Sequence, residues 1–174
     1  MTITLRRPTL AEAEAMAGVH MQCWREAYSA IMPTEMLAKT SLEGRVEMWR
    51  KSLGNDRRIA FAAYDDHEAV GFIMAGTPIE MLCEGMDGQL MAIYILASHQ
   101  RQGLGGKLIG LAARAWLEQG GASLTLAVLA ENAKARRFYE THGARLITTQ
   151  SRDGFGLADA IYVFENLSAL SAYA

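Results

Sequence analysis

Apolar and polar residues alternate from Thr2 to Arg7, the period of a half-buried strand. The period then becomes helical. Thr9-Leu-Ala-Glu12 is a capping-box pattern, in which the hydroxyl can take one free backbone N–H while Glu12 reaches back to another. Leu10, Ala13, Met16, Ala17, Val19, Cys23 and Trp24 then share a helical stripe that runs to about Tyr28. Pro33 to Leu53 reads as a short helix and a longer one, the longer opened by a second capping box, Thr40 with Glu43, and closed by Gly54-Asn55. Arg57 to Tyr64 and Ala69 to Gly76 read as strands of a hairpin turning at Asp65-Asp66-His67-Glu68, followed by a loop over Thr77 to Gly88. Gln89 to Leu96 is almost wholly apolar, as expected of a strand buried on both faces.

After a loop at Ala97 to Gln102, Gly103 to Glu118 is predicted helical, with Leu104, Leu108, Leu111, Ala112, Ala115 and Trp116 in phase. Gly120-Gly121 stops it, and Ser123 to Leu129 reads as a second buried strand. Asn132 can cap a helix carrying Ala135, Phe138 and Tyr139 and ending at Gly143. Arg145 to Gln150 and Ala158 to Glu165 finish as strands around a glycine-containing turn. Strands and helices are intermixed without repeats or a linker-like shift in composition, so the expectation is one α/β domain, 1–174, of mixed α+β type around a central sheet.

Composition narrows the function. With 174 residues, 51% hydrophobic and 21% charged, the chain can bury a core and is not intrinsically disordered. Its longest apolar run, Leu90 to Ala97, is far below the ~20 residues of a membrane helix. Arg6, Arg7 and Pro8 lead into a polar helix rather than the apolar core of a signal peptide. A formal charge of −2 argues against a general nucleic-acid binder. Cys23 and Cys83 lack the spacing of a disulfide framework or zinc site, and His20, His67 and His142 show no metal-ligand spacing, so no metal is expected. A reduced, cytoplasmic protein that binds neither membrane nor nucleic acid is the expectation.

The stretch richest in chemistry is Gln100-Arg-Gln-Gly103-Leu-Gly105-Gly106-Lys107, where a strand hands over to a helix. Glycines there let a ligand approach the backbone, and the free N–H groups of the helix start favour an anion such as pyrophosphate. Arg101 and Lys107 would add charge-assisted contacts. Two nucleotide motifs are excluded. A dinucleotide fingerprint needs glycine where Leu108 stands, and a P-loop needs glycine at Arg101 and Ser or Thr at Leu108. On its own the turn is also compatible with a ligand-free helix start.

Ile93 to Gly105, containing Gln100-Arg-Gln-Gly103-Leu-Gly105, resembles the Q/R-x-x-G-x-G/A segment of the GNAT N-acetyltransferase superfamily. About thirty residues on, Asn132-Ala-Lys-Ala135-Arg-Arg-Phe138-Tyr139-Glu-Thr-His-Gly143 resembles the family's N-x-x-A-x-x-F-Y-x-x-x-G signature. The order of elements matches along the whole chain. The resemblance implies a GNAT fold: a mostly antiparallel sheet of about seven strands, flanked by about four helices and splayed between the fourth and fifth strands. It implies acetyl-CoA as co-substrate, with pyrophosphate at Gln100, Arg101, Gln102, Gly103, Leu104, Gly105 and Gly106, and pantetheine along Ile93, Tyr94 and Ile95. Asn132 would contact the same arm and can serve as an N-cap as well, and Ala135 is a further candidate cofactor-binding residue. A backbone N–H beside the thioester could stabilise the oxyanion, a contribution of ~3 kcal/mol of barrier. Tyr139 matches the tyrosine that protonates the departing thiolate. An ordinary Tyr pKa of about 10 leaves it protonated at neutral pH.

Lys134, Arg136 and Arg137 lie where a 3′-phosphate could be met, although a solvated basic face is the simpler reading. The family's general-base carboxylate is replaced by Gln89, which leaves Glu80, Glu84 and Asp87 of the preceding loop as candidates and His99 facing the cofactor turn. Trp24, Tyr28, Glu84 and Asp87 are the candidate acceptor residues. Met32, Met36, Trp49, Met81, Leu82, Met86 and Met91 would add an adaptable apolar wall or simply core. The resemblance implies acetyl transfer to a primary amine of a small molecule. Peptide or protein N-terminal or lysine acetylation and a non-catalytic acyl-CoA-binding sensor are the alternatives, and a homodimer through the last strands is compatible with the family.

Overall fold

The computed structural model describes residues 2–152 and 156–174. The first strand, β1 (Ile3–Arg6), leads through Thr9 into a 3-10 turn at Leu10–Glu12 and the long helix α1 (Ala13–Tyr28). The expected box closes: the Glu12 carboxylate accepts from the Thr9 N–H and hydroxyl, both at 2.8 Å. It also pairs with Arg6, whose guanidinium holds this carboxyl far below the usual range. A short α2 (Thr34–Leu37) precedes α3 (Leu42–Leu53). Here the expected box at Thr40 and Glu43 is replaced by its neighbour. Ser41 is the N-cap, and its hydroxyl accepts from the Gly44 N–H at 3.1 Å. Two adjacent hydroxyl residues offer the helix alternative starts, and the one in extended conformation is used.

Strands β2 (Arg58–Asp65) and β3 (Glu68–Gly76) form the expected hairpin, with Asp66 at φ 54° in its two-residue turn. The chain continues through β4 (Gln89–Ile95), α4 (Leu104–Glu118), β5 (Leu124–Leu129), α5 (Ala133–Thr141), β6 (Arg145–Ser151) and β7 (Ala158–Phe164). A terminal helix, α6 (Leu167–Ser171), was not apparent in the sequence pattern. Part of the β6–β7 turn, including Gly154, lies outside the described residues.

The seven strands form one sheet in the order β1-β2-β3-β4-β5-β7-β6, antiparallel except for β4 against β5. That parallel pair is registered only at Gln89 opposite Thr125, so the strands separate beyond it. On one face α1 and α3 cover Ala60, Ala62, Tyr64, Phe72 and Met74, with Trp49 and Met16 fully buried. On the other face α4 and α6 pack over Ile59, Ile73, Leu124, Leu126 and Tyr162. The strand expected to be buried on both faces departs from that picture. Only Gln89 and Leu90 are buried, and Met91 to Ile95 are half-exposed, because cavities open on β4.

Candidate active site

A groove of about 900 Å³ opens where β4 and β5 part. Its walls are Ile93, Tyr94 and Ile95 of β4 and Leu126, Ala127 and Val128 of β5. One end is formed by Gln100, Arg101, Gly103, Gly105 and Gly106, and α5 contributes Asn132, Ala135, Phe138 and Tyr139. The structure therefore brings the two sequence motifs to one site. Gln102 and Leu104 belong to the same turn without lining the groove, and Leu104 is buried beneath it.

The turn has the geometry of an anion site. Arg101 and Gly103 both have positive φ, 61° and 79°, so the chain curls before α4 begins. Nothing stands within 4 Å of a Cβ built on Gly103, yet its left-handed φ is one that L side chains rarely adopt. Helices α3, α5 and α6 are each capped by a side chain, whereas α4 begins at Gly103 with none. Its first N–H groups are left for a ligand, and the helix dipole adds partial positive charge there. These features fit a pyrophosphate. Gln100 braces the turn, donating to the Ile95 carbonyl at 2.8 Å and accepting from the Lys134 ammonium. Arg136 is otherwise engaged, donating to the Tyr162 hydroxyl at 2.9 Å and the Ala130 carbonyl at 3.2 Å.

Pairing of β3 with β4 slips between Met74 and Ala75, which face Ala92 and Leu90, leaving Met91 as the extra residue of a bulge. Such a bulge breaks the regular β3–β4 pairing beside the groove. Tyr139 is 7% exposed, and its pKa is raised by burial, the nearby Tyr28 adding to the shift. It therefore stays protonated as an O–H donor. The Tyr28 and Tyr94 hydroxyls lie 3.1 Å apart, and burial raises both pKa values. Asn132 accepts from the Ala135 N–H at 3.1 Å, which realises its capping role while leaving it on the groove wall.

The expected acidic residues are placed elsewhere. Gln89 is buried, and its side-chain oxygen accepts from the Ile79 N–H at 2.8 Å, so it fastens the loop before β4. Asp87 accepts from the Ala122 and Ser123 N–H groups and the Ser123 hydroxyl at 2.8 to 2.9 Å, which ties that loop to β5. Glu80 and Glu84 line neither this groove nor the cavity beside it. His99 sits 3.2 Å from Asp65 at the far side of the turn. Glu26, His142 and Tyr173 are among the groove residues that the sequence reading did not assign to the site. Glu26 accepts from the Ala97 N–H at 2.8 Å, His142 approaches Gly106, and Tyr173 stacks on His142 at 4.8 Å after α6 returns the chain. The spacing of Leu167, Leu170 and Tyr173 could have signalled that return.

A second cavity of about 530 Å³ lies on the other side of β4, between α1 and α3. Met91, Ala92 and Tyr94 wall both spaces. Trp24 lines this second cavity and Tyr28 the first. His20 also lines it. The His20 Nδ1 accepts from the Trp49 indole N–H at 3.3 Å, and burial, reinforced by Arg45, lowers its pKa to about 3. It is a neutral imidazole near neutral pH.

The chain thus combines a sheet that splays between β4 and β5, a bulge in β4 and a glycine-rich start to α4 that no side chain caps. Residues 15–144 match the Acetyltransferase (GNAT) family, and the chain belongs to it. It is 31% identical over 157 residues to YuaI of Bacillus subtilis (strain 168), described as an uncharacterised N-acetyltransferase, covering 90% of this chain and 86% of YuaI. Among solved structures, the PaiA N-acetyltransferase of Thermoplasma acidophilum in complex with coenzyme A superposes with a TM-score of 0.74 at 20% identity, covering 95% of this chain and 99% of that one. The yncA acetyltransferase of Salmonella typhimurium with acetyl-CoA superposes with a TM-score of 0.72 at 14% identity, covering 95% and 94%. The protein is an acetyl-CoA-dependent acyltransferase. Among the described residues, no helix is long and apolar enough to cross a membrane.

Proposed function

We propose that the protein acetylates a primary amine of a small molecule by direct attack on the thioester, with Tyr139 as the acid. The observation that carries this reading is Tyr139 itself, a buried hydroxyl on the wall of the groove that also holds Gln100 to Gly106 and Ile93 to Ile95. Acetyl-CoA supplies the activated acyl carbon. The turn binds its pyrophosphate, β4 and Asn132 align its arm, and a backbone N–H beside the thioester stabilises the developing oxyanion. The amine nitrogen forms the new C–N bond as the C–S bond breaks, and Tyr139 gives its proton to the leaving sulfur. No carboxylate occupies the position of Gln89, so the amine enters unprotonated, and the surplus proton it gains on forming the C–N bond passes to water and from water back to Tyr139, restoring the acid. The rate should then rise with pH toward the pKa of the amine.

The Gln89–Ile79 bond also favours a second reading, a non-catalytic acyl-CoA sensor that retains the fold without a base. Tyr139→Phe separates the two. An enzyme should lose at least tenfold in turnover, measured by release of the free CoA thiol, while acetyl-CoA still raises the unfolding midpoint. Full turnover in the variant would remove Tyr139 from the mechanism. No turnover by the unmodified protein with any amine would favour the sensor.

A further inference from the structure

The cavity between α1, α3 and β4 carries a chemical demand that the fold leaves unmet. Arg45, on α3, has its Nε buried without a hydrogen-bond partner, and the same is true of the Trp24 indole nitrogen on α1. The two groups adjoin, with the guanidinium carbon 5.2 Å from the Trp24 ring. Among the described residues Arg45 makes no ion pair, and burial lowers its pKa. Both orphaned atoms are donors. Arg45 and Trp24 are each half-buried, but these two nitrogens are buried without acceptors, which is costly, so an acceptor bound beside them would relieve both.

The rest of the wall does not supply one. Glu47 pairs with Lys51 at 3.4 Å, both side chains largely exposed. Asn55 accepts from the Arg57 N–H at 2.9 Å, and Arg58 donates to the Thr77 carbonyl. The His20 acceptor nitrogen is taken by Trp49. The Ser52 hydroxyl donates to Met48, the Tyr94 hydroxyl pairs with Tyr28, and Met74, Met91 and Ile79 add an apolar stretch.

Resting on the small-amine reading above, we propose that the acceptor is an amine that also carries a carboxylate and an apolar body, as an α-amino acid does. Its carboxylate lies against Arg45 and Trp24, its apolar body against Met74 and Met91, and its amine toward the stretch of β4 shared with the cofactor groove. The acidic loop residues that would have suited a purely cationic amine line neither space. Arg is suited to the role because its planar fork matches a carboxylate.

The test uses matched acceptors at saturating acetyl-CoA, read by thiol release: methionine against 3-(methylthio)propylamine, leucine against isoamylamine, and phenylalanine against phenethylamine. The expected result is at least a tenfold preference in kcat/KM for the carboxylated member of one or more pairs. That preference should fall toward one in Arg45→Gln and return in part in Arg45→Lys. Equal or reversed preference, or a preference that survives Arg45→Gln, overturns the inference and leaves the small-amine reading standing. Turnover of no acceptor, with acetyl-CoA still raising the unfolding midpoint, overturns the small-amine reading and this inference with it. Should Arg45→Gln not fold, the unmodified protein with coenzyme A still decides. N-acetylmethionine should raise its unfolding midpoint above that seen with N-acetyl-3-(methylthio)propylamine, and the reverse order overturns the inference.

Discussion

Mild acid should destabilise this protein through a single buried imidazole. His20 is 4% exposed, and its pKa lies at about 3 against an ordinary value of 6.5. Between those values the unfolded chain carries a proton on His20 and the folded one does not. The unfolded state therefore binds more protons, and stability falls as pH falls. Stability is complete above about pH 6.5 and declines down to about pH 3. Each pH unit in that window removes about 1.4 kcal/mol, so lowering the pH from 7 to 5 removes about 2 kcal/mol. At about 2–4 °C per kcal/mol for a domain of this size, the unfolding midpoint should drop by about 4–8 °C. The assay compares the unmodified protein with His20→Gln, which keeps an acceptor for the Trp49 indole N–H, at pH 7 and pH 5. Other titrating groups cancel in the difference. The unmodified protein should lose about 4–8 °C more than the variant, and equal losses would refute the assignment of a neutral, buried His20.

Four further outcomes follow from the same geometry. Acetyl-CoA at a hundredfold over its dissociation constant should stabilise the protein by about 2.7 kcal/mol, seen as a rise of several degrees that ATP and NAD do not reproduce. Ser41→Ala should cost about 1 kcal/mol and lower the midpoint by a few degrees, while Thr40→Ala should leave it nearly unchanged. Gly103→Ala should cost about 1–2 kcal/mol for its left-handed backbone, measured by urea unfolding, and a neutral result would contradict the φ of 79°. Asp87→Ala orphans two backbone N–H groups, so the midpoint should fall while the ratio between paired acceptors stays as it was.

Local signals were legible where local physics decides. The apolar run at Leu90 to Ile95, the glycines before Leu108 and the Asn132 cap each specify a conformation within a few residues. These sufficed to anticipate that the two motifs meet along one groove. The acceptor side was less legible because it depends on convergence. Arg45 looks like any solvent-facing charge in the α3 pattern, and only the packing of α1, α3 and β4 half-buries it and leaves its Nε without an acceptor. Asp87 and Glu84 share a composition but not a fate, since the Asp87 carboxylate finds the Ala122 and Ser123 N–H groups 35 residues or more away. The bulge at Met91 leaves no trace in the hydrophobic pattern, since every residue from Leu90 to Leu96 is apolar or aromatic.

The separation of β4 from β5 also bears on solubility. Unpaired strand edges invite other chains to add to them, and most sheets defend their edges at the perimeter. Here two such edges face inward, joined at Gln89 and Thr125 and flanked by Tyr28 on one side and by Phe138 and Tyr139 on the other. The protein thus keeps backbone available for an extended guest while hiding it from another folded chain. An edge that would be an aggregation hazard at the perimeter is here enclosed, and only something as slender as a single strand could reach it.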